Sequence, residues 1–285
     1  MFSGFMTNAW IVGSIVAVVA GVVGFFVVAR GSAFVAHALP QSAFTGAAAA
    51  SLVGISTAFG MGAFALGSAF GIAWLGKRGR HDVATALALV LLLGTGELLL
   101  SYKIEYAQAV YSLLFGEVLG VSTNEILPTA LLAAVAILAV AVMYRPLMLT
   151  SVLPEVGEAR GVRSYRMEIL FLIIVALATT ASVPVVGALL MFSLMIGPPA
   201  ASRCFTDKPA VAIALSVALA LVTVWASLAI AFQRNWPVGF LVGVIGAALY
   251  IIGRVWAAWR GNRTVRFAHL GVPGENEPVP VAAGS

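Results

Sequence analysis

The sequence predicts an all-α protein, a polytopic transmembrane helical bundle of about eight or nine spans, and three observations carry that expectation. Of the 285 residues, 61% are hydrophobic and 9% charged, against roughly a quarter charged in a soluble domain. A water-soluble fold of this length has nowhere to hide so much apolar surface. Apolar runs long enough to span a bilayer, about 20 residues each, recur along almost the whole chain. The basic residues, finally, fall between those runs in a one-sided pattern.

The runs lie at 10–29, 33–53, 58–75, 83–102, 126–144, 168–182, 185–201, 210–232 and 238–256. The first has no Lys or Arg before it, so it lacks the positive n-region of a signal peptide and is expected to stay as a span. Placing the N-terminus outside puts Arg30, Lys77, Arg78, Arg80, Arg145, Arg160, Arg163, Arg166, Arg203, Lys208, Arg254, Arg260, Arg263 and Arg266 on one side. Only Lys103 and Arg234 fall on the other. Fourteen of the sixteen basic residues thus share a side, which the positive-inside rule assigns to the cytoplasm.

Several details refine this plan. Residues 106–120 are moderately apolar and too short to cross, which predicts an interfacial or partly re-entrant helix on the outer side. Small residues four apart at Gly13, Ala17 and Gly21, at Gly67 and Gly71, and at Gly239 and Gly243 offer faces where helix backbones can approach closely. Pro184, Pro198 and Pro199 should break or kink their helices, because proline lacks the backbone donor and clashes with the preceding turn. From residue 261 the chain turns to Asn, Glu, Pro, Gly and Ser. The expected organisation is therefore one membrane domain over 1–260 and a disordered cytoplasmic tail over 261–285.

Composition excludes several kinds of function. Cys204 is the single cysteine, so neither an internal disulfide nor a cysteine metal site is available. A pI near 9.7 does not indicate nucleic-acid binding, since the basic residues are dispersed between spans instead of gathered on one face. Gly71, Gly76 and Lys77 resemble a phosphate-binding loop only superficially: Arg78 stands where Ser or Thr is needed, and the glycines end a span. No ATP site, resident cofactor or converging catalytic set is expected in this chain.

The polar residues that matter are those inside apolar spans, where an ionisable group is costly and usually faces a pathway or a partner. His37 and Gln41 are four apart and share one helix face, with Pro40 between them loosening the backbone. A neutral imidazole nitrogen and an amide oxygen can ligate a divalent cation in transit; equally, His37 can simply bond a neighbouring helix. Glu97, near the outer end of the fourth run, either attracts a cation or snorkels to the interface. The longest internal cytoplasmic loop contains Pro154, Glu155, Glu158, Ala159 and a terminating Gly161, a pattern for a short amphipathic helix on the membrane surface that suits docking by a partner. An ordinary connecting loop would read similarly.

Four stretches, in order and over most of the chain, resemble the membrane permeases of ATP-binding-cassette importers for zinc, manganese and iron. They are the R-G-x-A-F-x-x-H-A-L run from Arg30 to Gly46, L-F-G-E-V-L-G-V at 114–121, P-E-V-G-E-A-R-G-V at 154–162, and V-G-A-L-L at 186–190 continuing to P-P-A-A-S-R at 198–203. The resemblance implies a permease homodimer around a central path in a bacterial cell membrane, with the C-terminus cytoplasmic. It further implies a cytoplasmic ATPase that binds ATP and Mg, and an extracytoplasmic substrate-binding protein. The 154–162 loop becomes the coupling helix. Where the family carries Asp and His four apart on the second span, this chain has His37 and Gln41, and Thr45 replaces the following Pro. The implied metal site is therefore weaker and less charged. The alternative class, a secondary active transporter, would need intramembrane carboxylates for its own energy coupling, and Glu97 is the one clearly intramembrane acid.

Overall fold

A computed structural model of the chain describes residues 4–76, 81–102, 113–116, 120–152, 154–234 and 236–259. Among them the regular elements are all helices: α1 (Gly4–Ala29), α2 (Ala33–Val53), α3 (Thr57–Gly76), α4 (His81–Ser101), α5 (Thr123–Val142), α6 (Tyr144–Val152), α7 (Pro154–Ala159), α8 (Ser164–Val186), α9 (Ala188–Phe205), α10 (Pro209–Arg234) and α11 (Val238–Trp259). The tail 261–285, most of 106–120, Lys103 and the basic residues at 77–80 lie outside the described residues.

Seven described helices, α1, α3, α5, α8, α9, α10 and α11, are long and apolar enough to cross a membrane. That is fewer than the nine runs, and the difference lies in α2 and α4. Helix α2 carries His37, Pro40, Gln41, Ser42 and Thr45, which lower its hydropathy. It tolerates them because protein, not lipid, surrounds it: across positions 36–48 every residue except His37 is buried. In α4 the apolar portion shortens to Thr85–Ser101. Contacts indicate that both helices still traverse the bundle. Near the start of α1, Asn8 Nδ2 donates to Thr123 Oγ1 at the start of α5, 3.1 Å away. Two helices that begin on the same side require an even number of crossings before the second, so α2 and α4 cross together or not at all, and α2 packs along both α3 and α4. At the opposite end, Arg30 Nη1 donates to Thr150 Oγ1 of α6 at 3.3 Å.

The outer surface is apolar, with Phe59, Trp74, Leu91, Leu127 and Leu138 all exposed, as a lipid-facing belt requires. Inside, the closest helix pair is α2 with α3, where a Cβ on Gly46 would collide with the Gly60 carbonyl oxygen and one on Gly60 with that of Gly46. Of the expected small-residue faces, Gly13 and Gly21 do meet α10, at Val224 and Val217. Among the described residues, Gly67, Gly71 and Gly243 have nothing within 4 Å of a Cβ position. Spacing marks a smooth helix face; it does not say whether another helix of the same chain lies against it.

The prolines also behave more mildly than their chemistry alone predicts. Helix α9 continues through Pro198 and Pro199. Pro199 has no N–H for the Met195 carbonyl, and Gly24 of α1 comes so close that a Cβ there would collide with that very oxygen. A bare glycine backbone thus covers the freed carbonyl, an arrangement suited to a weak Cα–H···O contact. Pro184 sits in the last turn of α8, just before the break at Gly187.

Adding a methyl at Gly46 therefore forces two backbones apart, at about 1–3 kcal/mol for overpacking. Gly46→Ala should lower the thermal unfolding midpoint of the detergent-solubilised protein, whereas Gly67→Ala should leave it at the wild-type value; equal midpoints for the two would refute this packing.

Candidate functional site

The polar centre of the bundle is the middle of α2, which packs against α3, α4, α8 and α9. Its helix carries Pro40 internally, so the Ala36 carbonyl, one residue before His37, receives no N–H from position 40. Toward α4, the Thr45 hydroxyl lies 2.5 Å from the Leu92 carbonyl oxygen and 3.0 Å from that of Gln41. A Cβ on Gly96 would meet the Phe44 ring at 2.6 Å. Small and back-bonded residues let α4 lie directly on this part of α2.

Two side-chain atoms in this setting have no hydrogen-bond partner among the described residues. The Gln41 side chain is 1% exposed, and its Oε1 is buried and unpaired. One turn away, His37 Nδ1 is likewise buried and unpaired, with the imidazole 4.5 Å from the Phe192 ring of α9 and tilted by 59°. A buried polar atom left unsatisfied costs about 1–3 kcal/mol, so two on one helix face are unusual. A third, Ser182 Oγ, lies on α8, another helix that packs against α2. Amide oxygen and unprotonated imidazole nitrogen are acceptors that suit a divalent first-row cation. Among the described residues no three His, Cys, Asp or Glu side chains come together, so this pair is too sparse for a resident metal.

Glu97 is placed differently. Its neighbour Gly96 makes the contact with α2, and Glu97 itself is on the exposed side of α4. The structure unites His37 with Gln41 and leaves Glu97 apart.

The loop of interest contains a helix, α7, as its Pro–Glu start and Gly161 stop predict. Gly161 has φ +80°, and its N–H donates to the Glu158 carbonyl at 2.9 Å while the Val162 N–H reaches Gly157 at 3.0 Å. Such a left-handed glycine cap closes the last turn. Glu155, Glu158, Ala159 and Gly161 are exposed, while Gly157 is buried with the Thr150 methyl 3.2 Å from where its Cβ would stand. Helix α6, which holds Thr150, went unforeseen because its nine residues mix Tyr, Arg and Pro with apolar ones and show no run of span length. Arg30 ties this element to the bundle. Besides bonding Thr150 it lies 5.0 Å over the Phe171 ring, and burial lowers its pKa while Glu168 opposes the shift.

At the other end two separate sequence stretches meet. Gly116 (φ +73°) and Gly187 (φ +81°) face each other so closely that a Cβ on Gly116 would come 2.6 Å from the Gly187 nitrogen, and one on Gly187 2.5 Å from the Leu114 carbonyl oxygen. Thus the L-F-G run packs into the break between α8 and α9, where V-G-A-L-L begins. Phe115 also approaches the start of α11, 3.6 Å from a Cβ position on Gly239.

A comparison with known protein families matches residues 3–257 to the ABC 3 transport family. The chain belongs to this family. As an ABC 3 transport protein it is a multi-pass membrane permease component of an ATP-binding-cassette transporter. Its relatives include the "Manganese transport system membrane protein MntC" of Listeria innocua, 25% identical over 260 residues that cover 90% of this chain and 92% of the relative. Another is the "Probable iron transport system membrane protein" of Haemophilus influenzae, 26% identical over 262 residues, or 90% and 95% of the two chains. The solved structure "PsaBC from Streptococcus pneumoniae in complex with Fab" has the same fold, with a TM-score of 0.81 at 22% identity over 90% of this chain and 96% of that one.

For this ABC 3 member the unpaired Gln41 oxygen gives a signed prediction. Gln41→Met keeps the shape and removes the orphan atom, so it should raise the thermal unfolding midpoint in metal-free detergent by the equivalent of about 1 kcal/mol. A fall in the midpoint would mean that Oε1 already has a partner in the folded protein.

Proposed function

We propose that the chain is the permease subunit of an ATP-driven importer for a divalent metal ion, manganese, iron or zinc, with manganese the first candidate. The observation that carries this reading is the pair of unpaired acceptor atoms, Gln41 Oε1 and His37 Nδ1, held one turn apart on an otherwise packed helix. An ion that replaces part of its hydration shell with these two atoms and the Ala36 carbonyl beside them gains enough to pause and too little to stay. The names of the relatives, for manganese and for iron, support the choice of substrate. The metal is cargo, so weak and incomplete ligation is an advantage: release must follow binding.

The chain performs no hydrolysis in this reading. A cytoplasmic ATPase binds ATP and Mg, a substrate-binding protein delivers the ion outside, and two copies of the permease enclose the path. Basic residues at the Arg30 end of the bundle, including Arg145, Arg160, Arg163, Arg166, Arg203 and Arg254, support a cytoplasmic placement of that end, with the N-terminus outside. Helix α7 then projects Glu155, Glu158 and Ala159 toward the ATPase, with Pro154 opening the helix and Gly161 closing it. Motion at α7 reaches the ion path through packed contacts: α7 rests on Thr150 of α6 through Gly157, Thr150 bonds Arg30, and Arg30 stands three residues before α2 begins. Alternating access needs such a rigid link between the motor and the substrate helix.

Uptake of labelled manganese, iron and zinc into cells or vesicles with the complete transporter tests the substrate assignment. His37→Ala should reduce uptake of the transported ion at least about tenfold, the effect of losing roughly 1.4 kcal/mol of binding; unchanged uptake would return His37 to a packing role. For coupling, Glu155→Lys with Glu158→Lys should abolish uptake while the permease still folds and inserts. If transport and co-purification of the ATPase both persisted in that variant, α7 would not be the docking element.

A further inference from the structure

At the end of the bundle that carries the basic residues, α1, α6, α9, α10 and α11 enclose a cavity of about 330 Å³ that lies apart from the α2 site. Its walls are of two kinds. Phe25 of α1 and Met148 of α6 give an apolar side, while Arg203 of α9 and Arg254 of α11 contribute two guanidinium groups to a lining that also holds one carboxylate, Asp207, and Tyr250. The depth is set by its neighbours: on α11, Trp256 and Trp259 are exposed beside the cavity-lining Ala257, and exposed tryptophans near the end of a span mark the headgroup level of a membrane. Farther along the same helix Ile251, Ile252 and Val255 are exposed, so hydrocarbon adjoins the opening.

We propose that this cavity is a binding site for an anionic phospholipid, its phosphate held by Arg203 and Arg254 and the start of an acyl chain lying against Phe25 and Met148. Charge complementarity selects the occupant. Basic pockets between transmembrane helices take acidic headgroups, and the apolar wall favours a ligand with a tail over a free anion. Metal cations are excluded by the same two guanidiniums. Because Met148 belongs to α6, a lipid seated here touches the element that carries α7, which would make coupling sensitive to lipid composition.

Native mass spectrometry of the full chain in detergent, titrated with phosphatidylglycerol and separately with phosphatidylcholine, tests the site. Phosphatidylglycerol should bind more tightly; Arg254→Gln should weaken it roughly fivefold, Arg254→Lys should restore most of the affinity, and Asp207→Asn should strengthen binding. Phosphatidylcholine, whose phosphate is offset by its own choline cation, should respond to both variants less than phosphatidylglycerol does. Arg254 and Asp207 are exposed, so these variants keep the fold, and retained wild-type unfolding midpoints verify it. Equal affinity for the two lipids, no response to Arg254→Gln, or displacement of phosphatidylglycerol by excess inorganic phosphate would each overturn the proposal.

Discussion

A carbonyl or amide without a partner is expensive where water is absent, and that constraint shapes this bundle more than hydrophobicity does. Prolines inside α2 and α9 remove donors in the middle of helices. Around the freed Met195 carbonyl, α1 closes in with a bare glycine, and the site becomes tight packing. In α2 the freed carbonyl is that of Ala36, beside His37, on a helix that also carries two side-chain atoms with no partner among the described residues.

The need to bury an open polar helix also explains the arrangement around it. Helix α2 could not face lipid with His37, Gln41, Ser42 and Thr45 on it, so α3, α4, α8 and α9 surround it. Close approach demands small contacts, supplied at Gly46 and Gly60 toward α3 and at Gly96 toward α4. At one end of the bundle, mutual contact of Gly116 and Gly187 ties the segment after α4 into the α8–α9 junction. The opposite end is tied by Arg30. Both ties join stretches far apart in sequence, so tilting one half of the bundle must move the other, the mechanical condition for alternating access.

Much of this was legible in the residues. Hydropathy located the long helices to within a few positions, because bilayer thickness acts on local sequence. The His37 and Gln41 pair followed from helical spacing alone. Ser182 did not stand out: a serine in an apolar run bonds its own helix as a rule, as Thr179 and Thr180 do here, and only coordinates reveal the exception. Nor could spacing tell Gly13 and Gly21, which meet α10, from Gly67 and Gly71, which meet nothing among the described residues. The role of Thr150 was hidden for the same reason, since it depends on Arg30, 120 residues away. Glu97 was a sound candidate by composition, yet the facing of α4 was set by Gly96 next to it.

The central claim is that the orphaned atoms of α2 are where the transported cation pauses. Anomalous scattering from crystals of the transporter loaded with manganese addresses it directly. A manganese peak should lie within ligand distance, about 2.0–2.4 Å, of Gln41 Oε1 or His37 Nδ1, and vanish in the His37→Ala, Gln41→Met double variant. A peak elsewhere along the path, with none beside α2, would contradict the assignment.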